Sequence, residues 1–183
     1  MPSVQAARVA VIYAAASGTT RDVAELIATD LTEHGAVVEL SDIEHAPDLS
    51  RFDGIVLGSA VRGSAFLPDA ATFLRTHRDE LRRSDVWMFS VGPAPHGPIG
   101  RRIGRTVPKR IAALCESINP WDFRAFAGHC TPAELPWQAR IINRLLGDAD
   151  YGDQQDSYTI RTWSSMIAQA LGLAPAKNTP IHR

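Results

Sequence analysis

The sequence predicts a doubly wound α/β domain: a three-layer sandwich with a five-stranded parallel sheet in order 2-1-3-4-5 and helices on both faces. Three observations carry this. Short β-branched runs alternate with amphipathic stretches from start to finish. The first such run passes through a small-residue turn directly into a helical pattern. The chain has 183 residues, 45% of them hydrophobic and 21% charged, which suits one buried core, and no linker or repeat divides it.

The elements follow in order. Arg8–Tyr13 (RVAVIY) is the first strand. Ala14–Thr20 is a turn of small residues, and a helix runs from about Arg21 to His34 with Val23, Ile27 and Leu31 on one face. Gly35 stands where a helix stop is expected. Val37–Leu40 is the second strand and Gly54–Ser59 the third. Phe73, Leu74, His77 and Leu81 share helical spacing. Val86–Val91 is the fourth strand, and GPAPHGP at 92–98 breaks the chain. A helix fits about Val107–Ser117, with Thr106 as its cap and Pro108 tolerated in the first turn. The fifth strand fits Asp122–Gly128. Within an irregular stretch, Trp137–Leu146 is a short apolar helix candidate, and Thr162 is placed to cap a last helix ending near Leu171. One domain is therefore expected over residues 1–174, with an insertion at about 131–157 and a frayed tail at 175–183.

Composition narrows the function. Formal net charge is -1, so no overall basic field points to nucleic acid. No apolar run is long enough to span a bilayer, and the N-terminal stretch lacks the layout of a signal peptide. Cys115 and Cys130 form no CxxC pair; the expectation is a cytoplasmic protein with free thiols.

The residues with chemistry begin at the first turn. Ala14-Ala15-Ala16-Ser17-Gly18-Thr19-Thr20 leads from a strand into a helix N-terminus. Small side chains allow close backbone approach, the helix end offers unpaired N–H groups, and three hydroxyls add donors. Such a junction suits a phosphate; a tight turn with an ordinary Ser/Thr cap would look the same. The loop is neither GxxxxGK[ST] nor GxGxxG, which argues against a nucleotide-hydrolysing loop and a dinucleotide fingerprint. No GxSxG elbow is present, and Tyr13-Ala14 and Gly58-Ser59 replace the acids that a phospho-receiver domain needs.

The stretch VIYAAASGTTRDVAELIA resembles the first strand, phosphate loop and helix of flavodoxins, whose loop reads S/T-x-T-G-x-T. Ser17, Gly18 and Thr20 match its second half, while Ala15 replaces its first hydroxyl. The segment from Phe52 to Leu81 resembles the third strand, second flavin loop and third helix of the quinone-linked protoporphyrinogen-oxidase branch of that superfamily, with Gly58-Ser59-Ala60-Val61-Arg62 at the strand end. Phe89-Ser90-Val91, Thr162-Trp163 at the last helix and the apolar insertion at Thr131–Tyr158 are similar to that branch too.

The resemblance implies a flavodoxin-like fold and an FMN cofactor, with a related flavin or deazaflavin fitting the same cleft. It implies that Ser17, Gly18, Thr19 and Thr20 hold the phosphate. Ser59, Ala60, Val61, Arg62 and Gly63 would border the isoalloxazine ring, and Ser90, Val91 and Gly92 would form the third flavin loop. The function implied is oxidoreduction with a small-molecule or quinone partner, or with a redox protein. A flavodoxin-type electron carrier and a flavodoxin-fold interaction module without flavin are the alternatives. The chain departs from flavodoxins in its few ring-stacking aromatics: the second loop offers only Phe66, and His96 stands in the third.

Other features have bland readings beside sharp ones. Arg62 suits a ring carbonyl or substrate carboxylate, or a surface salt bridge. Arg101, Arg102, Arg105, Lys109 and Arg110 could steer an acidic redox partner or a propionate-bearing porphyrin, but the ordinary reading is a solvated helix face. The insertion, followed by Asp148, Asp150, Asp153 and Asp156, suits packing over the site or at a homodimer interface better than an anionic membrane surface. Cys115 reads as core, Cys130 as a packed thiol, and His129 as a proton donor with no evident partner.

Overall fold

The computed structural model describes residues 6–93, 107–128 and 151–174. Helices α1 (Gly18–Glu33), α2 (Pro68–Thr76), α3 (Arg78–Leu81), α4 (Lys109–Ile118) and α5 (Tyr151–Ala170) surround strands β1 (Arg8–Ala14), β2 (Val37–Asp42), β3 (Gly54–Arg62), β4 (Ala65–Phe66), β5 (Asp85–Pro93) and β6 (Asp122–Gly128). The main sheet is parallel in the order β2-β1-β3-β5-β6, which is the predicted order, and β4 pairs only with the end of β3.

The strands are near-continuous apolar runs because both faces are covered. Alternate residues separate into two cores. Val9, Val11, Val56, Trp87 and Phe89 face α1 and α5, whereas Ala10, Ile12, Ile55, Leu57 and Met88 face α2, α3 and α4. The edge strand β2 leaves Val37 and Leu40 exposed.

Gly35 ends α1 as expected, at φ +92°, with its N–H on the Thr32 carbonyl and the Ala36 N–H on that of Leu31. Asn119 closes α4 in the left-handed conformation, its N–H on the Cys115 carbonyl.

Four expectations change. The third strand continues to Arg62 and turns back through Gly63 and Ser64, both at positive φ, to pair Arg62 with Ala65 and Val61 with Phe66. This is a two-residue hairpin of the kind that needs left-handed residues at both central positions, where a loop was expected. The single helical stretch ending at Leu81 divides at His77 into α2 and α3. The α4 helix begins at Lys109 rather than about Val107, so Pro108 stands at its N-cap position instead of in its first turn, and Thr106, the expected cap, lies outside the described residues. The last helix starts at Tyr151, well before Thr162. Thr162 lies inside it, and its hydroxyl donates to the Tyr158 carbonyl one turn back, the bond of a helix interior rather than of a cap. Residues 151–157, expected within the insertion, are thus helical. The rest of the insertion, its Trp137–Leu146 helix candidate and the tail lie outside the described residues.

No helix among the described residues is long and apolar enough to cross a membrane.

Candidate functional site

The candidate site lies at the carboxyl edge of the parallel sheet, where β1 and β3 are neighbours and their chains leave toward opposite faces. In such sheets this switch point is where ligands bind. Register sets the geometry. Ala14 pairs with Ser59, Ser59 with Ser90, and Ala60 with Val91, so the ends of β1, β3 and β5 lie side by side.

Ser17 is the N-cap residue of α1, in extended conformation, and its side chain makes no capping bond to the helix. Gly18, Thr19 and Thr20 form the first turn, which holds no acidic residue. Thr20 is buried, while Gly18 is exposed, and a Cβ there would meet the Asp22 carboxylate at 4.0 Å. A helix N-terminus without a carboxylate in its first turn, fronted by a hydroxyl not engaged with the helix, fits a phosphate through N–H donation and the dipole. Arg21, which lines the adjoining cavity, is engaged by Glu25 at 2.7 Å, and that bond raises its pKa.

The loop borders a cavity of about 400 Å³ that also touches Tyr13, Asp42, Ile43 and Leu67. Asp42, Glu44 and Asp69 also line it. Asp42 caps a single 3-10 turn, accepting from the His45 N–H at 3.0 Å and from His45 Nδ1 at 2.8 Å. The His45 side-chain bond holds the Asp42 carboxyl below its ordinary range, and the same bond raises the His45 pKa. The capping role accounts for the cluster of Asp42, Glu44 and His45 without an ion. An anion in this cavity is repelled by those carboxylates and attracted by the donors at Ser17 and Gly18 on the helix end.

The second segment is built differently from a loop. Ser59 is fully buried; its hydroxyl donates to the Ala60 carbonyl at 2.8 Å and accepts the Leu67 N–H at 3.1 Å, bracing the hairpin. Ala60 and Val61 are half-buried, and Arg62 and Gly63 are exposed at the hairpin tip. Phe66 is buried in the core against Phe123, so it is not the ring-stacking aromatic that the sequence suggested. In the third segment Ser90 and Val91 are buried and Gly92 is half-buried. A Cβ on Gly92 would lie 3.5 Å from Val61 Cβ, and one on Gly128 would lie 2.8 Å from Val91 Cγ1 and 3.5 Å from Thr19 Cγ2. These close approaches knit the ends of β3, β5 and β6 to the first turn of α1. All three predicted segments therefore meet at one edge, offering backbone more than side chains.

Asp42, Leu67 and Asp69 were missed by sequence reasoning. The signal available was topological: β2 neighbours β1, so its last residue must border the β1–α1 loop. Cys115 is a partly buried thiol in the core, as expected, and desolvation pushes its pKa up to about 11, which leaves it protonated at neutral pH. His96, His129, Cys130 and the arginines at 101, 102 and 105 lie outside the described residues.

Fold and site together define a doubly wound α/β protein with a small-residue strand–loop–helix junction at its switch point. A flavodoxin domain family model matches residues 10–157, and the chain belongs to that family. It is 19% identical to the protoporphyrinogen IX dehydrogenase [quinone] of Escherichia coli O6:H1 over 174 residues, covering 93% of this chain and 96% of that protein. Among solved structures, a flavodoxin from the domain Archaea is similar at TM-score 0.56 and 16% identity, over 90% of this chain and 99% of the other. The Flv1 flavodiiron core from Synechocystis sp. PCC6803 is similar at TM-score 0.61 and 18% identity, over 92% of this chain but only 37% of that one. At such identities the structural likeness establishes the fold.

Proposed function

We propose that this chain is an FMN-binding oxidoreductase that moves electrons between an organic substrate and a quinone or protein carrier. The observation that carries the reading is the β1–α1 junction, a helix end with an unengaged cap hydroxyl and no first-turn carboxylate, set beside the ends of β3 and β5. Ser17, Gly18, Thr19 and Thr20 hold the phosphate through N–H and hydroxyl donors. Ser59, Ala60, Val61, Arg62 and Gly63, with Ser90, Val91 and Gly92, border the ring. They do so mainly through backbone, because Ser59 and Ser90 are buried. Exposed Arg62 stands at the hairpin tip, where its guanidinium meets a ring carbonyl or a substrate carboxylate. The flavin supplies the redox chemistry; the chain supplies position and electrostatics. The near full-length likeness to a quinone-linked dehydrogenase supports a quinone acceptor.

The test is FMN titration of the purified chain, followed by flavin fluorescence and the visible spectrum. Saturable one-to-one binding is expected, weakened about tenfold by Thr20→Val, the loss of one bond to a charged group. Gly18→Asp places a carboxylate at the phosphate and should abolish binding. Binding of a deazaflavin but not FMN would change the cofactor. Failure with every flavin would sink the reading and leave a flavodoxin-fold interaction module. Quinone-dependent turnover of a small substrate separates the enzyme from an electron carrier, which would react only with a redox protein.

A further inference from the structure

A groove of about 870 Å³ runs along the face of the sheet opposite α1, between α2 and α4. Ala71, Ala113 and Leu114 line it, and buried Phe66 closes its floor. Arg75, Arg78 and Arg110 stand along its walls. All three are exposed, and none forms an ion pair among the described residues. Arg78 Nε donates to the Ser117 carbonyl at 3.4 Å, which ties α3 to α4 and keeps this arginine on the groove wall. No carboxylate lines the groove among the described residues.

The groove is thus locally basic, although the whole chain carries 19 basic and 20 acidic residues and Asp69, Asp79 and Glu80 belong to the same helices as Arg75 and Arg78. Arg110 lies in a run, Val86 to Cys115, that contains no acid. Arginine forks on an apolar floor match carboxylates bidentately while their stems add apolar surface. The groove follows α2, whose nine residues span roughly 13 Å at 1.5 Å per residue, so it accommodates between two and three turns of a helix. A trough between two helices with an apolar floor and charged walls is the shape that receives an amphipathic helix. Nucleic acid is a poor match, because among the described residues no exposed aromatic lines the groove for bases to stack on.

We propose that this groove docks an acidic amphipathic helical segment of a partner protein, its apolar stripe on Ala71, Ala113 and Leu114 and its carboxylates on Arg75, Arg78 and Arg110. The groove begins at Ala65 and Phe66, on the hairpin that carries Val61 to Gly63. A docked segment therefore adjoins residues assigned to the flavin ring. That redox consequence rests on the proposed function; the docking itself does not.

The test uses the full chain and a fluorescein-labelled 18-residue helical peptide with a leucine stripe and glutamates elsewhere, read by anisotropy at low salt. Saturable one-to-one binding is expected, weakening as salt rises. Arg75→Glu with Arg110→Glu should lower affinity at least about tenfold, as reversal of two facing charges does. The same peptide with lysine for glutamate should not bind. Unchanged binding by the double variant, equal binding of the lysine peptide, or no binding at millimolar peptide would overturn the proposal. Equal binding of a scrambled acidic peptide or of an oligonucleotide would also overturn it, by showing a generic anion surface. Should the Glu variants unfold by circular dichroism, the Arg75→Gln and Arg110→Gln pair serves instead. FMN titration of the same variants separates the two readings: retained peptide binding without FMN binding sinks the cofactor site and not the groove.

Discussion

The two faces of the sheet are closed in different ways. On the α1/α5 face, Phe89, Phe126 and Trp163 form one aromatic cluster, with Trp163 meeting Phe89 at 6.2 Å and Phe126 at 5.6 Å, edge to face. Trp163 Nε1 donates to Asp122 at 2.8 Å. Arg161 reaches buried Asp30 across the helix pair at 3.4 Å, and the His34 ring bridges Ser165 Oγ and the Ala174 carbonyl. On the other face the inner layer is mostly aliphatic, with Leu57, Leu74, Leu81, Ile111 and Ile118 beside the Phe66–Phe123 pair, and the helices above it present alanines at 71 and 113. On the first face three mutually packed rings fill the space between helices and sheet; on the second, alanines leave a trough between helices. The first face is built to hold the fold, and the second leaves its outer layer open for recognition.

The comparison breaks most visibly at Trp163. Trp163→Ala should lower unfolding free energy by about 4 kcal/mol, from the cavity and the lost ring contacts. Chemical denaturation measures it, and a loss under 1 kcal/mol would mean that the cluster is not the lock described. Gly58 is the next test. A Cβ there would lie 2.0 Å from Phe89 Cζ, so the aromatic ring exists in its position only because residue 58 has no side chain. Gly58→Ala should cost about 2 kcal/mol through overpacking, and pairing it with Phe89→Leu should recover part of that loss.

Asp30 gives a pH signature confined to the α1/α5 face. Burial raises its pKa, partly offset by Arg161. The folded state then binds this proton more readily than the unfolded state, so Asp30 makes stability rise as pH falls through its raised folded pKa toward the ordinary aspartate range. Asp30→Asn should remove that contribution and steepen the acid-side loss of stability. Identical slopes for wild type and variant would refute it. Asp42 acts with the opposite sign: its lowered pKa contributes stability above the unfolded value, lost as pH falls through the folded one. The smallest effect belongs to the groove. Arg75→Ala and Arg110→Ala should each change stability by less than about 0.5 kcal/mol, since both are exposed and lack ion pairs among the described residues. A larger loss would make these arginines structural.

The family and the β1–α1 junction were legible because their signals are local. Arg8–Tyr13 alternates with a helix whose apolar residues recur every turn, and Gly35 provides the left-handed stop that only a residue without Cβ adopts at low cost. Gly58 was legible as a motif position, but its reason was not, since Phe89 arrives from another strand. The start of α5 was misplaced because Thr162 can serve either as a cap or as a helix-interior residue bonded one turn back, and only the packed helix decides between them. The hairpin was missed because Gly63-Ser64 is a weaker turn signal than Asn-Gly, and its partner strand has only two residues.

The sequence by itself determined the alternation of strands and helices and the small-residue turn between β1 and α1, properties of residues close along the chain, and from that alternation the expected sheet order followed by the general rules for doubly wound sheets. The tertiary structure decided what those elements bring together. Asp42 shares a cavity with Ser17 because β2 lies beside β1, and Arg75 shares a groove with Arg110 because two successive crossovers set α2 and α4 side by side on one face. Hydrophobic period reports which side of an element is buried. It does not report which charged residue on the exposed side of one helix will share a groove with that of the next, because that depends on sheet order and helix spacing rather than on local pattern.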